Sequence, residues 1–98
     1  MPVHVIAVVT IDENEPRALA HYLETTAPLL AKAGARIMSR FEAVDTLVGP
    51  RWPRTIMIVE YPSLEAVNSV FQSEQYLSLA PIRDKAFSSY EVHIAEAS

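Results

Sequence analysis

The 98-residue chain predicts an α+β domain in which one antiparallel four-stranded sheet carries its helices on a single face. The apolar pattern alternates between strand and helix periods in the order β-α-β-β-α-β, which is the first reason. The second lies in residues 54–67, Arg-Thr-Ile-Met-Ile-Val-Glu-Tyr-Pro-Ser-Leu-Glu-Ala-Val: a strand apolar on both faces, stopped by Pro62 and followed by a helix capped by Ser63. A strand in a small two-layer domain needs only one apolar face, so the other needs a cover. A second copy of the same sheet supplies one.

Each element follows from its residues. Residues 3–11 are rich in β-branched side chains and too short for a buried helix, so they form strand one. Asp12-Glu13-Asn14-Glu15-Pro16 is a helix start, with Asn14 or a neighbour as cap and Pro16 in the first turn. Leu19, Tyr22, Leu23, Thr26, Leu29, Leu30 and Ala33 make its buried stripe, Pro28 should kink it or loosen a turn, and Gly34 ends it at the C′ position. Residues 35–43 alternate as strand two, and 45–53 form a loop marked by Gly49, Pro50 and Pro53. Strand three is 54–61. Helix two starts at Ser63 with Leu64, Val67, Val70 and Phe71 inward; Ser73 is a second cap, and Pro81 offsets a last turn. Tyr90, Val92 and Ile94 alternate with Glu91, His93 and Ala95 as strand four. This order is the ferredoxin-like arrangement, with sheet order 4-1-3-2 and both helices on one face.

On strand one, either His4, Ile6, Val8 and Thr10 face outward or Val3, Val5, Ala7 and Val9 do, and both choices leave an apolar surface unusual for a monomer. The expectation is a two-fold homodimer, sheets packed face to face around Ile6, Val8, Ile56, Ile58 and Met38.

Composition narrows the function. Half of the residues are hydrophobic and a fifth charged, which suits a globular chain rather than a disordered one. A net charge of −4 with scattered basic residues argues against nucleic acid as a partner. Strand three also lacks the aromatics on the open face that stack RNA bases. Without cysteine there is no thiolate metal site and no cysteine nucleophile. Met1-Pro2-Val3-His4 is no signal peptide, and no apolar run approaches the ~20 residues of a membrane span. The expectation is one soluble, cytoplasmic domain over residues 1–98. Two widely separated glycines rule out a phosphate loop, and the Gly-x-Ser-x-Gly elbow is absent. His4, His21 and His93 show no metal-ligand spacing, so no metal and no cofactor is called for. His21 reads as a surface residue.

Antiparallel pairing of strands two and three with Arg36 against Glu60 sets Met38 against Ile58, Arg40 against Ile56 and Glu42 against Arg54. That register gives two opposite-charge pairs on one face and leaves Ile37, Phe41, Met57, Val59 and Tyr61 for the helices. Arg40, Arg54 and Glu60 would then share the open face with His4 and His93. Such groups either pair along a dimer interface or line a pocket. Trp52 in the loop is a cap on the core or the dimer contact, or else a flat wall for a planar ligand. Tyr76 and Arg83 read as a packing tyrosine and a solvated arginine rather than an anion contact.

Ala33-Gly34-Ala35-Arg36, Trp52-Pro53-Arg54, Ile58-Val59-Glu60-Tyr61-Pro62-Ser63, Ser73-Glu74-Gln75-Tyr76 and Ile82-Arg83 occur in order over most of the chain. In these segments the sequence resembles the domain of unknown function 1330 family, within the dimeric α/β-barrel superfamily. It departs in having Ala35 where that family usually has a second glycine, and Tyr61 where phenylalanine is frequent. The resemblance implies a ferredoxin-like protomer that dimerises sheet to sheet and brings no agreed catalytic residue. Superfamily activities, among them cofactor-free monooxygenases, dehydratases and isomerases, would transfer by fold analogy alone.

Two functions stand side by side. In the first, a pocket on the open sheet face takes a small planar organic acid. His4 or His93 is the general base, Arg40 or Arg54 holds a carboxylate or enolate oxygen, Glu60 orients one of them, and Trp52 is a wall. In the second, the face only dimerises and these charges are interface pairs.

Overall fold

The computed structural model describes residues 2–51 and 54–96. Its elements are β1 (Val3–Ile11), α1 (Pro16–Lys32), β2 (Arg36–Glu42), β3 (Thr55–Tyr61), three short helices α2 (Leu64–Phe71), α3 (Glu74–Leu77) and α4 (Ala80–Ala86), and β4 (Phe87–Ala95). All pairings are antiparallel, in the spatial order β2-β3-β1-β4, which is 4-1-3-2 read from the other edge. The fold is ferredoxin-like, with one sheet and one helical layer. Between the two layers lies the core, gathered around Val5, Val59, Tyr61, Val67, Val70 and Ala86.

Strand one resolves its own ambiguity. Val3, Val5 and Val9 are buried beneath the helices, so His4, Ile6, Val8 and Thr10 take the open face by alternation. On α1, Ala18, Tyr22 and Thr26 form the buried stripe, whereas Leu23, expected inside, is 53% exposed. The helix runs unbroken through Pro28, and Thr25 and Thr26 donate hydroxyl bonds to the carbonyls of His21 and Tyr22 in the preceding turn. Its start differs from expectation. Glu15 is the cap residue and its side chain makes no capping bond, while Asn14 donates its backbone N–H to the Asp12 carboxylate at 3.0 Å.

The end of α1 is as the sequence predicts. Gly34 sits at φ 75°, its N–H donates to the Ala31 carbonyl at 3.1 Å, and the Ala35 N–H donates to Leu30 at 3.0 Å. This is a Schellman closure, which a left-handed glycine permits. The predicted caps of the second half also form: Ala66 N–H donates to Ser63 Oγ and Tyr76 N–H to Ser73 Oγ, each at 3.1 Å. Leu64 is a correction, since it is half-exposed while Val67 and Val70 carry the α2 contact.

Two stability measurements check these local arguments. Gly34→Ala forces a Cβ into a left-handed backbone, 3.3 Å from Pro62 Cγ. It should lower the unfolding free energy in urea by about 1–2 kcal/mol. Ser63→Ala leaves the Ala66 N–H without its acceptor and should cost about 1 kcal/mol.

Candidate functional site

The site depends on one irregularity in β2. Arg36 pairs with Glu60 and Ile37 with Val59, as expected, but the register then shifts at Met38. Ser39 meets Ile58, Arg40 meets Met57, Phe41 meets Ile56 and Glu42 meets Thr55. The expected pairings of Met38 with Ile58, Arg40 with Ile56 and Glu42 with Arg54 are therefore replaced. A bulge inserts one residue, and every side chain beyond it changes face. Arg40 moves to the helix side and Phe41 to the open face, each opposite to expectation.

Arg40 thereby borders a cavity of about 210 Å³ between sheet and helices. The floor is Val5, Ala7, Val9, Met57, Val59 and Val92; Leu19, Leu23, Thr26 and Leu30 of α1 form the roof. The mouth lies between α1 and β2, where Leu23 and Ile37 are half-exposed or more. An apolar cavity of about 150 Å³ accommodates benzene, so this volume admits a substituted single ring. Among the described residues that line it there is no carboxylate and no imidazole. Thr55 is buried and donates to the Glu42 carboxylate at 2.8 Å, and the other Glu42 oxygen lies 3.5 Å from Arg40 Nη2. This Arg40–Glu42 contact is mostly exposed, so it holds the guanidinium weakly.

At the β4 end three phenols meet. Tyr22 of α1, Tyr76 of α3 and Tyr90 of β4 bring their hydroxyl oxygens within 2.5 Å (Tyr22–Tyr90), 2.8 Å (Tyr76–Tyr90) and 3.2 Å (Tyr22–Tyr76). Three protons and three contacts close a ring in which each hydroxyl donates once and accepts once. Edge-on aromatic contacts hold the rings, Tyr22 on Phe87 at 5.2 Å and Tyr76 on Phe71 at 4.8 Å between centroids. Arg83 covers the cluster, its guanidinium carbon 5.3 Å from the Tyr90 ring centroid and 5.8 Å from that of Tyr76. The neighbouring Tyr76 hydroxyl holds the Arg83 proton more tightly than in a free guanidinium. Burial pushes the phenols of Tyr22 and Tyr90 well above their ordinary range, and that of Tyr61 up to about 12. Tyr22 and Tyr90 are therefore neutral hydrogen-bond donors at neutral pH, not bases.

The other expected site residues lie across the sheet. His4 Nε2 is 3.7 Å from Glu60 Oε2, and Arg36 Nη2 is 3.1 Å from Glu60 Oε1, so these three form one cluster on the open face. His93 lies on the same face, diagonal to His4, with its Nε2 3.8 Å from Glu91. Arg54 precedes β3, and its carbonyl accepts from Ala43 N–H at 2.8 Å. Six residues of extended chain set it roughly 20 Å from Glu60. The sheet therefore does not gather Arg40, Arg54, Glu60 and the histidines at one point. Trp52 lies outside the described residues. His21 is exposed on α1. The residues that the sequence reading missed are the tyrosines: Tyr22 and Tyr90 read as spacing in two apolar stripes, and nothing in their spacing brings three hydroxyls together. Arg83, expected in solvent, is drawn onto them.

A family model of a domain of unknown function (DUF1330) matches residues 2–97. The chain belongs to the DUF1330 family. No curated protein matches it. Among solved structures, this DUF1330 protein is similar to a protein of unknown function from Rhodopseudomonas palustris, with a TM-score of 0.81 and 19% identity over 99% of this chain and 82% of the other. It is also similar to an ethyl tert-butyl ether D (EthD) family protein from Bacillus halodurans, with a TM-score of 0.63 and 22% identity, covering 100% of both chains. A third is a dimeric protein of unknown function with a ferredoxin-like fold from Bacteroides fragilis, with a TM-score of 0.58 and 15% identity over 98% and 96% of the two chains. At these identities the likeness establishes the fold alone. No helix among the described residues is long and apolar enough to cross a membrane.

The raised phenols predict a pH dependence. The folded chain holds these protons more tightly than the unfolded chain, where tyrosine titrates near about 10. Their contribution to stability is thus intact below about pH 10 and is lost as pH rises through about 12. The urea midpoint should be level between about pH 8 and 9.5 and fall above about pH 10. Tyr90→Phe should make that fall shallower.

Proposed function

We propose that this DUF1330 protein is a homodimer that binds a small organic acid with a planar, apolar body in the cavity between sheet and helices. The observation that carries this reading is the cavity itself, walled by hydrocarbon, with Arg40 at its edge as the lining group that bears a full positive charge. A carboxylate at the mouth would replace the weak Glu42 contact and pair with the guanidinium, while the ring enters the apolar interior. With no carboxylate or imidazole among its described lining residues, the cavity supports binding before it supports proton transfer.

The dimer rests on the open face. Ile6, Val8, Ile56 and Ile58 form an apolar surface there that no helix covers, extended by Phe41 at 55% exposure. The dimeric ferredoxin-like protein from Bacteroides fragilis supports the same assembly. A second reading, in which the chain is purely an interaction module, draws on a different observation. His4, Arg36 and Glu60 contact one another on that face, as interface pairs would.

The two readings part on Arg40. Millimolar 4-isopropylbenzoate should raise the melting temperature of the wild type. Arg40→Gln should bind it about tenfold more weakly, the loss of a charge-assisted hydrogen bond, and Arg36→Gln should bind it unchanged. Equal heating curves with and without the acid would leave only the interaction module. Ile58→Lys should give a monomer or an aggregate by light scattering, because it would desolvate an unpaired charge. A wild-type chain that is monomeric at micromolar concentration would overturn the dimer.

A further inference from the structure

The inner end of the cavity is chemically unlike its mouth. Arg40 stands on β2, and the three phenols meet at β4, so three inter-strand steps of ~4.8 Å separate the strands that carry them, about 14 Å across the sheet. Arg40 and the three tyrosines line the same cavity, so an acid held at Arg40 extends along that cavity towards their side of it.

The geometry of the ring says which hydroxyl can turn towards that end. The Tyr76–Tyr90 and Tyr22–Tyr90 contacts are short, at 2.8 and 2.5 Å, whereas Tyr22–Tyr76, at 3.2 Å, is the longest and weakest of the three. The ring opens most easily at that long edge. Opening it there leaves the chain Tyr76, Tyr90, Tyr22, in which each hydroxyl donates to the next and the Tyr22 proton is left over. The Tyr76 oxygen gives up only a long contact, and the Arg83 guanidinium stays over the Tyr76 and Tyr90 rings, 5.8 and 5.3 Å from their centroids. Successive bonds polarise one another, so the positive charge of Arg83 strengthens the last donor.

We infer that Tyr22 is a hydrogen-bond donor to a carbonyl oxygen of the ligand, at the end of a donor chain of three phenols covered by the Arg83 guanidinium, and that the ligand is an oxo acid with its carboxylate at Arg40. The inference rests on the acid-binding reading above and adds the second functional group. A carbonyl fits the donor better than a second carboxylate, because the inner end offers hydroxyl protons inside an apolar wall and its one cation is already engaged with the phenols. Arg83 acts through Tyr76 and Tyr90, as a positioning residue.

The test compares 4-acetylbenzoate with 4-isopropylbenzoate, which differ by a carbonyl oxygen in place of a methyl group. Calorimetric titration of the full chain should show the oxo acid binding a few-fold to about tenfold more tightly, the scale of one neutral hydrogen bond. Tyr22→Phe should abolish that preference, so that the two acids bind with equal affinity. The infrared carbonyl stretch of bound, ¹³C-labelled 4-acetylbenzoate should move to lower frequency in the wild type. It should return to its value in apolar solvent in Tyr22→Phe and lie between the two in Arg83→Gln. Equal affinities for the two acids, or a carbonyl stretch indifferent to Tyr22→Phe, would overturn the donor chain while the acid site stands. If neither acid binds but 4-methylacetophenone binds better than 4-isopropyltoluene in a Tyr22-dependent way, the donor assignment stands and the acid at Arg40 is overturned. Binding of none of the four overturns both.

Discussion

A four-stranded sheet has two faces, and this chain supplies helix for only one of them. That shortage governs where everything else goes. Val3, Val5, Val59 and Tyr61 take the covered side, because burying them there removes hydrocarbon from water at ~25 cal/mol per Å². Alternation then commits Ile6, Val8, Ile56 and Ile58 to the uncovered side. No local change of conformation can hide both sets at once, since neighbouring residues on a strand point in opposite directions.

The bulge at Met38 is the one place where β2 departs from simple alternation, and it exchanges two side chains of opposite character. With regular pairing, Phe41 would face the helices and Arg40 the open face. With the bulge, Phe41 extends the apolar open surface and Arg40 reaches the cavity edge.

Three buried phenolic oxygens would each be costly alone, because a hydroxyl removed from water without a partner forfeits more than a hydrogen bond contributes. Closing them on one another satisfies all three, and no buried polar side-chain atom among the described residues lacks a partner. Burial then keeps the Tyr22 and Tyr90 protons in place, so these two hydroxyls remain donors across the physiological range. Arg83, stacked on two of the rings, shields the cluster from solvent while keeping its own charge partly exposed.

Period and punctuation carried the strands, the helix ends and their order, because these depend on residues close in sequence. Gly34 must close α1, Ser63 and Ser73 must cap α2 and α3, and Pro62 must stop β3, whatever the rest of the chain does. The Arg36–Glu60 pairing was legible for the same reason: opposite charges at matching ends of two adjacent strands. Two features escaped. A bulge adds one residue without any mark in composition, yet it reverses the faces of Arg40 and Phe41. The hydroxyl ring joins positions 22, 76 and 90, whose separation along the chain exceeds any periodicity. The sequence by itself determined which segments are strand and helix and that one sheet face lacks a cover. Only the tertiary structure decided which side chains share a cavity, because that depends on register and on helices brought together from opposite ends of the chain.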